Sequence, residues 1–318
     1  MSATPLYLLA PQTRARLRLF WALSRTPHAL VDMATAAVAA LLCLGGFPSA
    51  AVVIIGLITV FAGSTAVYAL NDLVDYRTDQ RKMVDGLYSD SEDYLDGVLP
   101  RHPIAKGLLS FQEGLLWALG WAAVALVGAY LLNPICVVIF VGGCLLEALY
   151  CWLWQMTPYR AVVNGLVKSS GAVAAVFAVQ AHPSVVFLLV LFLWIFFWEI
   201  GGQNIPADWS DIMEDRRFGA HTIPVHFGPH RAGVLAVLTL LAAFFFNVVL
   251  VLVSPLTLWA PLWLAVLLVN AYCLLMPVIK VFNSQRREDV MRLFNKASHY
   301  PLAVLGIVLL SLLSLAVR

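Results

Sequence analysis

Charge is scarce in this 318-residue chain. Asp, Glu, Lys and Arg together make up 12% of it, against about 25% in soluble domains. Hydrophobic residues make up 61%. That balance excludes an ordinary soluble domain and indicates a polytopic membrane protein. Cysteine is sparse too: the five cysteines all lie in apolar runs, with no CxxC and no zinc-ligand spacing. They read as small buried hydrophobes. The net charge of +2 says nothing useful about nucleic acid, and no nucleic-acid partner is expected. Residues 1–10 lack a cleavable-signal pattern, so no processing is expected.

Apolar runs are abundant. A hydrocarbon core requires about 20 apolar residues per helix. Nine stretches meet this: 28–47, 49–70, 112–131, 134–153, 161–181, 184–203, 232–253, 257–281 and 299–316. Short joints at Phe47-Pro48, Asn133-Pro134, Ala181-His182-Pro183 and Ser254-Pro255 carry proline, as helix ends do. They carry no Lys or Arg. The long joints 71–111, 154–160, 204–231 and 282–298 hold most of the basic residues, and Arg14, Arg16, Arg18 and Arg25 precede the first span. The positive-inside rule puts the long joints in the cytoplasm. The expected fold is therefore all-α, with nine transmembrane helices around a central cavity opening to the cytoplasmic side. Residues 1–318 read as a single membrane domain. Within it, 1–27 is an interfacial N-terminal segment and 80–110 a cytoplasmic cap loop, including the acidic stretch 89–96.

Acidic residues are concentrated at two of these cytoplasmic span ends. Asn71-Asp72-Leu73-Val74-Asp75-Tyr76-Arg77-Thr78-Asp79 follows the second span, and Asp208-Trp209-Ser210-Asp211-Ile212-Met213-Glu214-Asp215 follows the sixth. Continued as helix, Asn71, Asp75 and Asp79 share one face, as do Asp208, Asp211 and Asp215. Oxygen ligands gathered in this way suit Mg²⁺, which binds through a few carboxylates plus substrate phosphates.

The pattern Asn71-Asp72-x-x-Asp75-x-x-x-Asp79 resembles the first signature of the UbiA family of intramembrane prenyltransferases. Asp211-x-x-x-Asp215-Arg216-x-x-Gly219-x-x-Thr222-x-x-Val225-x-x-Gly228 resembles the second. Arg101-x-Pro103-x-x-x-Gly107 is similar to the element that follows the first signature. The gap between Asp79 and Arg101 is longer than the family's usual stretch. The resemblance implies Mg²⁺-dependent ionisation of a prenyl diphosphate. Asn71, Asp75, Asp79, Asp211 and Asp215 become the candidate metal ligands, and the four aspartates the candidate catalytic set. Lys168, Arg216, Arg81 and Lys82 are candidates for binding the diphosphate. Asp72, Asp208, Glu199, Tyr68, Tyr150 and Arg160 are candidates for supporting the ligands or meeting the acceptor. Tyr68 and Tyr150 are singled out as cation–π walls, whereas Trp152, Trp154 and Trp259 read as interfacial belt residues. Asp32 and Glu147, also within spans, have no assignable role; Arg25 and His28 are the expected pairing partners for Asp32.

The expected partners are a prenyl diphosphate, membrane lipids and an aromatic acceptor of hydroxybenzoate or quinone-precursor type, in a bacterial inner membrane. Transfer to a non-aromatic lipid, or terpene cyclisation, uses the same residues. A cation transporter fits poorly, since no row of ionisable groups crosses the membrane.

Overall fold

The computed structural model describes residues 11–84, 95 and 97–316. Apart from Leu95, the acidic stretch 89–96 of the expected cap loop lies outside them. Every regular element among the described residues is helical. In chain order the helices are α1 (Pro11–Leu23), α2 (Thr26–Leu44), α3 (Ala50–Val84), α4 (Phe111–Leu132), α5 (Pro134–Trp152), α6 (Arg160–Val179) and α7 (Val185–Trp198). They continue with α8 (Ile205–Ser210), α9 (Ile212–Arg217), α10 (Ile223–Phe227), α11 (Pro229–Val253), α12 (Ala260–Asn270), α13 (Met276–Ser284) and α14 (Arg287–Ala316). Wide π-helical turns at Glu199–Asn204 and Ala271–Leu275 join α7 to α8 and α12 to α13. Nine helices among the described residues are thus long and apolar enough to cross a membrane. All nine apolar stretches of the sequence find their helix, and the chain is a multi-pass membrane protein.

The helices overrun the apolar stretches at the long joints. With 35 residues, α3 is about 50 Å long, against a hydrocarbon core of about 30 Å. Residues 71–84 contain neither Gly nor Pro, so the helix continues where hydropathy falls. Likewise α14 begins at Arg287, not at 299. Its Pro301 lies inside the helix, as neighbouring helices in membranes permit. The short joints are capped locally. Gly45 ends α2 at φ 64°, and the Asn133 side chain accepts a hydrogen bond from the Ile135 N–H at 2.9 Å.

Helix α3 packs on α4, α5 on α6, α7 on α11, and α2 on both α6 and α14. The tightest core lies among α7, α11 and α14, where Trp194, Trp198 and Tyr300 are fully buried. A chain of polar side chains threads it. Trp194 Nε1 donates to the Tyr300 hydroxyl at 3.0 Å, which donates to Asn270 Oδ1 at 2.9 Å; Asn270 Nδ2 donates to Asn247 Oδ1 at 2.8 Å. Tyr300→Phe strands Trp194 and Asn270 without changing the packed volume. Such bonds contribute about 0.6 kcal/mol on average in membranes and up to about 1.7. The thermal midpoint of the purified protein should fall by a few degrees, measurable by fluorescence-detected unfolding in detergent.

Candidate active site

A cavity of about 750 Å³ lies between α2, α3, α5 and α6 on one side and the α7–α9 segment on the other. Its polar end is built from both acidic clusters: Asn71, Asp72, Asp75 and Asp79 from α3, and Asp208, Asp211 and Asp215 from α8 and α9. The first cluster stays helical throughout, as its spacing predicts. The second does not. The helix breaks at Asp211 (φ −106°, ψ 13°), between α8 and α9. Its three aspartates face one cavity because the chain turns there, not because they share a helical face.

The π-helical turn before α8 sets this segment's depth. A Cβ on Gly201 would lie 2.3 Å from Thr239 Oγ1 and 3.1 Å from the Ala236 carbonyl; one on Gly202 would lie 2.9 Å from Ala297 Cβ. The paired glycines therefore let the turn press against α11 and α14. Glu199, Gln203 and Asn204, on the same turn, line the cavity.

Nearly every buried acid has a basic or amide partner. His102 Nδ1 lies 2.7 Å from Asp72 Oδ1 and 2.8 Å from Asp79 Oδ2. Burial disfavours a charged imidazole, but the Asp79 and Asp72 carboxylates outweigh it and raise the His102 pKa to about 9. Lys82 meets Glu214 at 3.0 Å and so ties α3 to α9. The Lys82 ammonium also sits 4.4 Å from the centre of the Trp154 ring. Arg160 donates to Asp208 Oδ1 at 2.6 Å and lies over Tyr150, 4.5 Å from the ring centre. Asp215 accepts from the Thr222 hydroxyl at 3.1 Å. Burial, with Asp208 nearby, raises its pKa to about 7.

A second polar layer lies toward the interior of the bundle. Asn71 Nδ2 donates to Glu147 Oε1 at 2.7 Å, leaving its carbonyl oxygen as its only candidate ligand atom. Asn164 Nδ2 donates to Glu199 Oε1 at 2.8 Å. Lys168 donates to Asp32 and, at 2.8 Å, to the Tyr68 hydroxyl; Tyr68 donates to Asp32. Beyond this layer the walls are apolar, reaching Phe47, Pro48 and Leu132 at the opposite span ends.

Several expectations need correction. Arg81 and Arg216 are exposed and do not line the cavity, because each points from its helix away from the acidic face. Lys168 lines it, but its charge is matched by Asp32. Trp154 is a cavity wall under Lys82, not a belt residue. Tyr68 and Tyr150 line the cavity, with Lys168 5.2 Å and Arg160 4.5 Å from their respective ring centres. His102, Arg25 and Asn164 also line it and carry no expectation from the sequence as site groups; Arg101 and Glu214, which lie in the sequence motifs without an assigned role, line it too. Arg25 and His102 are two of three non-glycine residues with positive φ among those described, at 42° and 49°. Such strain gathers at functional sites, but the sequence does not display it. One signal is visible: Gly107, at φ 68°, ends the Arg101–Gly107 turn that holds His102 in place, a conformation side chains disfavour.

The donor set suits a hard cation. The second oxygens of Asp72 and Asp208 are buried without a hydrogen-bond partner in the protein, a costly state for carboxylates unless a cation meets them. Arg160→Ala would leave Asp208 buried and unpaired, costing about 3–5 kcal/mol. Arg160→Met with Asp208→Leu should recover most of that stability in thermal unfolding.

A sequence model of the UbiA prenyltransferase family matches residues 33–300. A digeranylgeranylglyceryl phosphate synthase of Methanococcoides burtonii is 28% identical over 179 residues, covering 53% of this chain and 59% of that protein. The match thus spans about three fifths of that relative's length. The apo structure of a UbiA homologue from Aeropyrum pernix K1 superposes with a TM-score of 0.70 at 20% identity, covering 89% of this chain and 97% of the homologue. An Archaeoglobus fulgidus homologue bound to DMAPP and Mg²⁺ superposes with a TM-score of 0.65 at 16% identity, covering 91% and 98%. At these identities the likeness speaks to fold alone.

Proposed function

This chain belongs to the UbiA prenyltransferase family, and from that premise we propose that it moves a prenyl group from a prenyl diphosphate to a hydroxyl of a glycerophosphate-type lipid. The reading rests on one observation: two aspartate clusters, far apart in sequence, meet at the polar end of a cavity whose far walls are apolar. Asn71, Asp75, Asp79, Asp211 and Asp215 would hold Mg²⁺, with Asp72 and Asp208 beside them. Bound there, Mg²⁺ would offset charge on the leaving diphosphate. Lys82 and His102, already among the carboxylates, exchange partners with the diphosphate oxygens. Arg25 and Arg101 line the same end and add positive charge. The apolar walls take up the prenyl tail and keep water from the reacting carbon.

The choice of acceptor follows the relatives, named for a glyceryl phosphate that carries two geranylgeranyl groups. The aromatic acceptor expected from the sequence finds no support among them. The whole chain would act as one domain, with the acidic end toward the cytoplasm because the basic residues lie there. The relatives are archaeal, so a bacterial inner membrane has no support from them.

Purified protein supplied with labelled geranylgeranyl diphosphate, Mg²⁺ and geranylgeranylglyceryl phosphate should form a doubly prenylated lipid. Product formed only with 4-hydroxybenzoate would restore the aromatic reading, and a hydrocarbon formed without acceptor would favour cyclisation. Asp75→Ala and Asp211→Ala should each lower turnover by at least about 100-fold while leaving the thermal midpoint in place. Full activity in excess EDTA would refute the metal assignment.

A further inference from the structure

The Asp32–Tyr68–Lys168 constellation has no place in binding a diphosphate. Lys168 already donates to Asp32 and Tyr68, so its ammonium is engaged within the group. It also lies deeper. Tyr68 precedes Asp75 by seven residues on α3, about 10 Å along the helix axis. The three side chains come from α2, α3 and α6, and all line the cavity. The Asp32 and Lys168 side chains keep 12% and 20% of their surface open. Around them the wall includes Ala36, Val67, Val167 and Gly171, with Arg25 5.9 Å from the centre of the Tyr68 ring. An ion pair open to an apolar cavity inside a membrane is expensive, and such groups mark function by default. Both Tyr68 and Lys168 donate to Asp32 Oδ2, and His28 Nε2 is 3.8 Å from Oδ1, too far for a hydrogen bond.

The geometry points to this constellation as the acceptor-hydroxyl subsite, with Asp32 as the group that takes the acceptor's proton. The inference rests on the transfer reaction proposed above. The C1–O bond of the prenyl diphosphate breaks and the electron pair leaves with the diphosphate. A lone pair of the acceptor oxygen forms the new C1–O bond. The hydroxyl proton passes to Asp32, which becomes neutral. An oxygen bonded to a forming carbocation is a very strong acid, so the carboxylate need only lie within reach of its proton. Tyr68 and Lys168 orient the carboxylate through their hydrogen bonds.

The test uses Asp32→Leu/Lys168→Met, since a buried ion pair replaced by apolar residues of similar size is usually neutral or stabilising. Geranylgeranyl diphosphate binding with Mg²⁺ should change by less than about threefold. Transfer to geranylgeranylglyceryl phosphate should fall by at least 100-fold. Tyr68→Phe, which keeps the ion pair, should raise the acceptor KM several-fold and leave the KM for the diphosphate unchanged. Wild-type transfer rates in the double variant would mark the group as a clamp between helices and overturn the proposal. Loss of diphosphate binding together with transfer would return Lys168 to the diphosphate site and also overturn it. If the double variant fails to fold, an unchanged acceptor KM in Tyr68→Phe has the same force. Wild-type protein inactive toward every hydroxyl acceptor would instead refute the proposed function.

Discussion

Negative charge buried at the end of a membrane cavity is the constraint that the rest of this structure answers. Seven carboxylates and an asparagine from two distant segments line one space. Left to themselves they would repel one another and pay the cost of leaving water. The protein meets that cost with cations and amides drawn from other helices: His102 between Asp72 and Asp79, Lys82 on Glu214, Arg160 on Asp208. These contacts also fix the architecture. Lys82–Glu214 joins α3 to α9, and Arg160–Asp208 joins α6 to α8. The acidic site is therefore a means of holding the two halves of the bundle together as well as a place to bind a cation.

The balance is arranged in layers. At the mouth, carboxylates outnumber their partners, and the second oxygens of Asp72 and Asp208 are among those left without a hydrogen-bond partner, which is the state of a site that takes up positive charge. One layer deeper, acids are matched by amides or by a single lysine: Glu147 by Asn71, Glu199 by Asn164, Asp32 by Lys168. Deeper still, polar groups give way to an apolar channel. The layers run from charge at the mouth, through hydrogen-bonded polar groups, to hydrocarbon, the order that the proposed reaction of a prenyl diphosphate requires. The glycine pair in the π-helical turn matters here, because it brings one wall of the deeper layer close enough to face the other.

Much of this was legible in the chain itself. The nine apolar stretches, the prolines at short joints and the one-sided distribution of Lys and Arg determined how many helices cross and which ends lie together, because burying backbone in hydrocarbon leaves few alternatives. The two acidic signatures identified the mouth of the site, because carboxylates at span ends are costly without a task. Tertiary structure alone decided the pairings. In sequence Lys168 is a candidate for the diphosphate and Arg160 for the ligands or the acceptor, yet each is paired with an acid brought from another helix. Arg81 and Arg216 sit beside the signatures in sequence and point away from them in space. Trp154 looked like an interfacial residue and is a wall of the site. His102 carries no signal in sequence because its contacts depend on a turn that brings it back to α3. Sequence records which charges a chain has and how far along it they lie; which charges neutralise one another is a matter of distances of a few ångströms across helices, and only the packed bundle sets those.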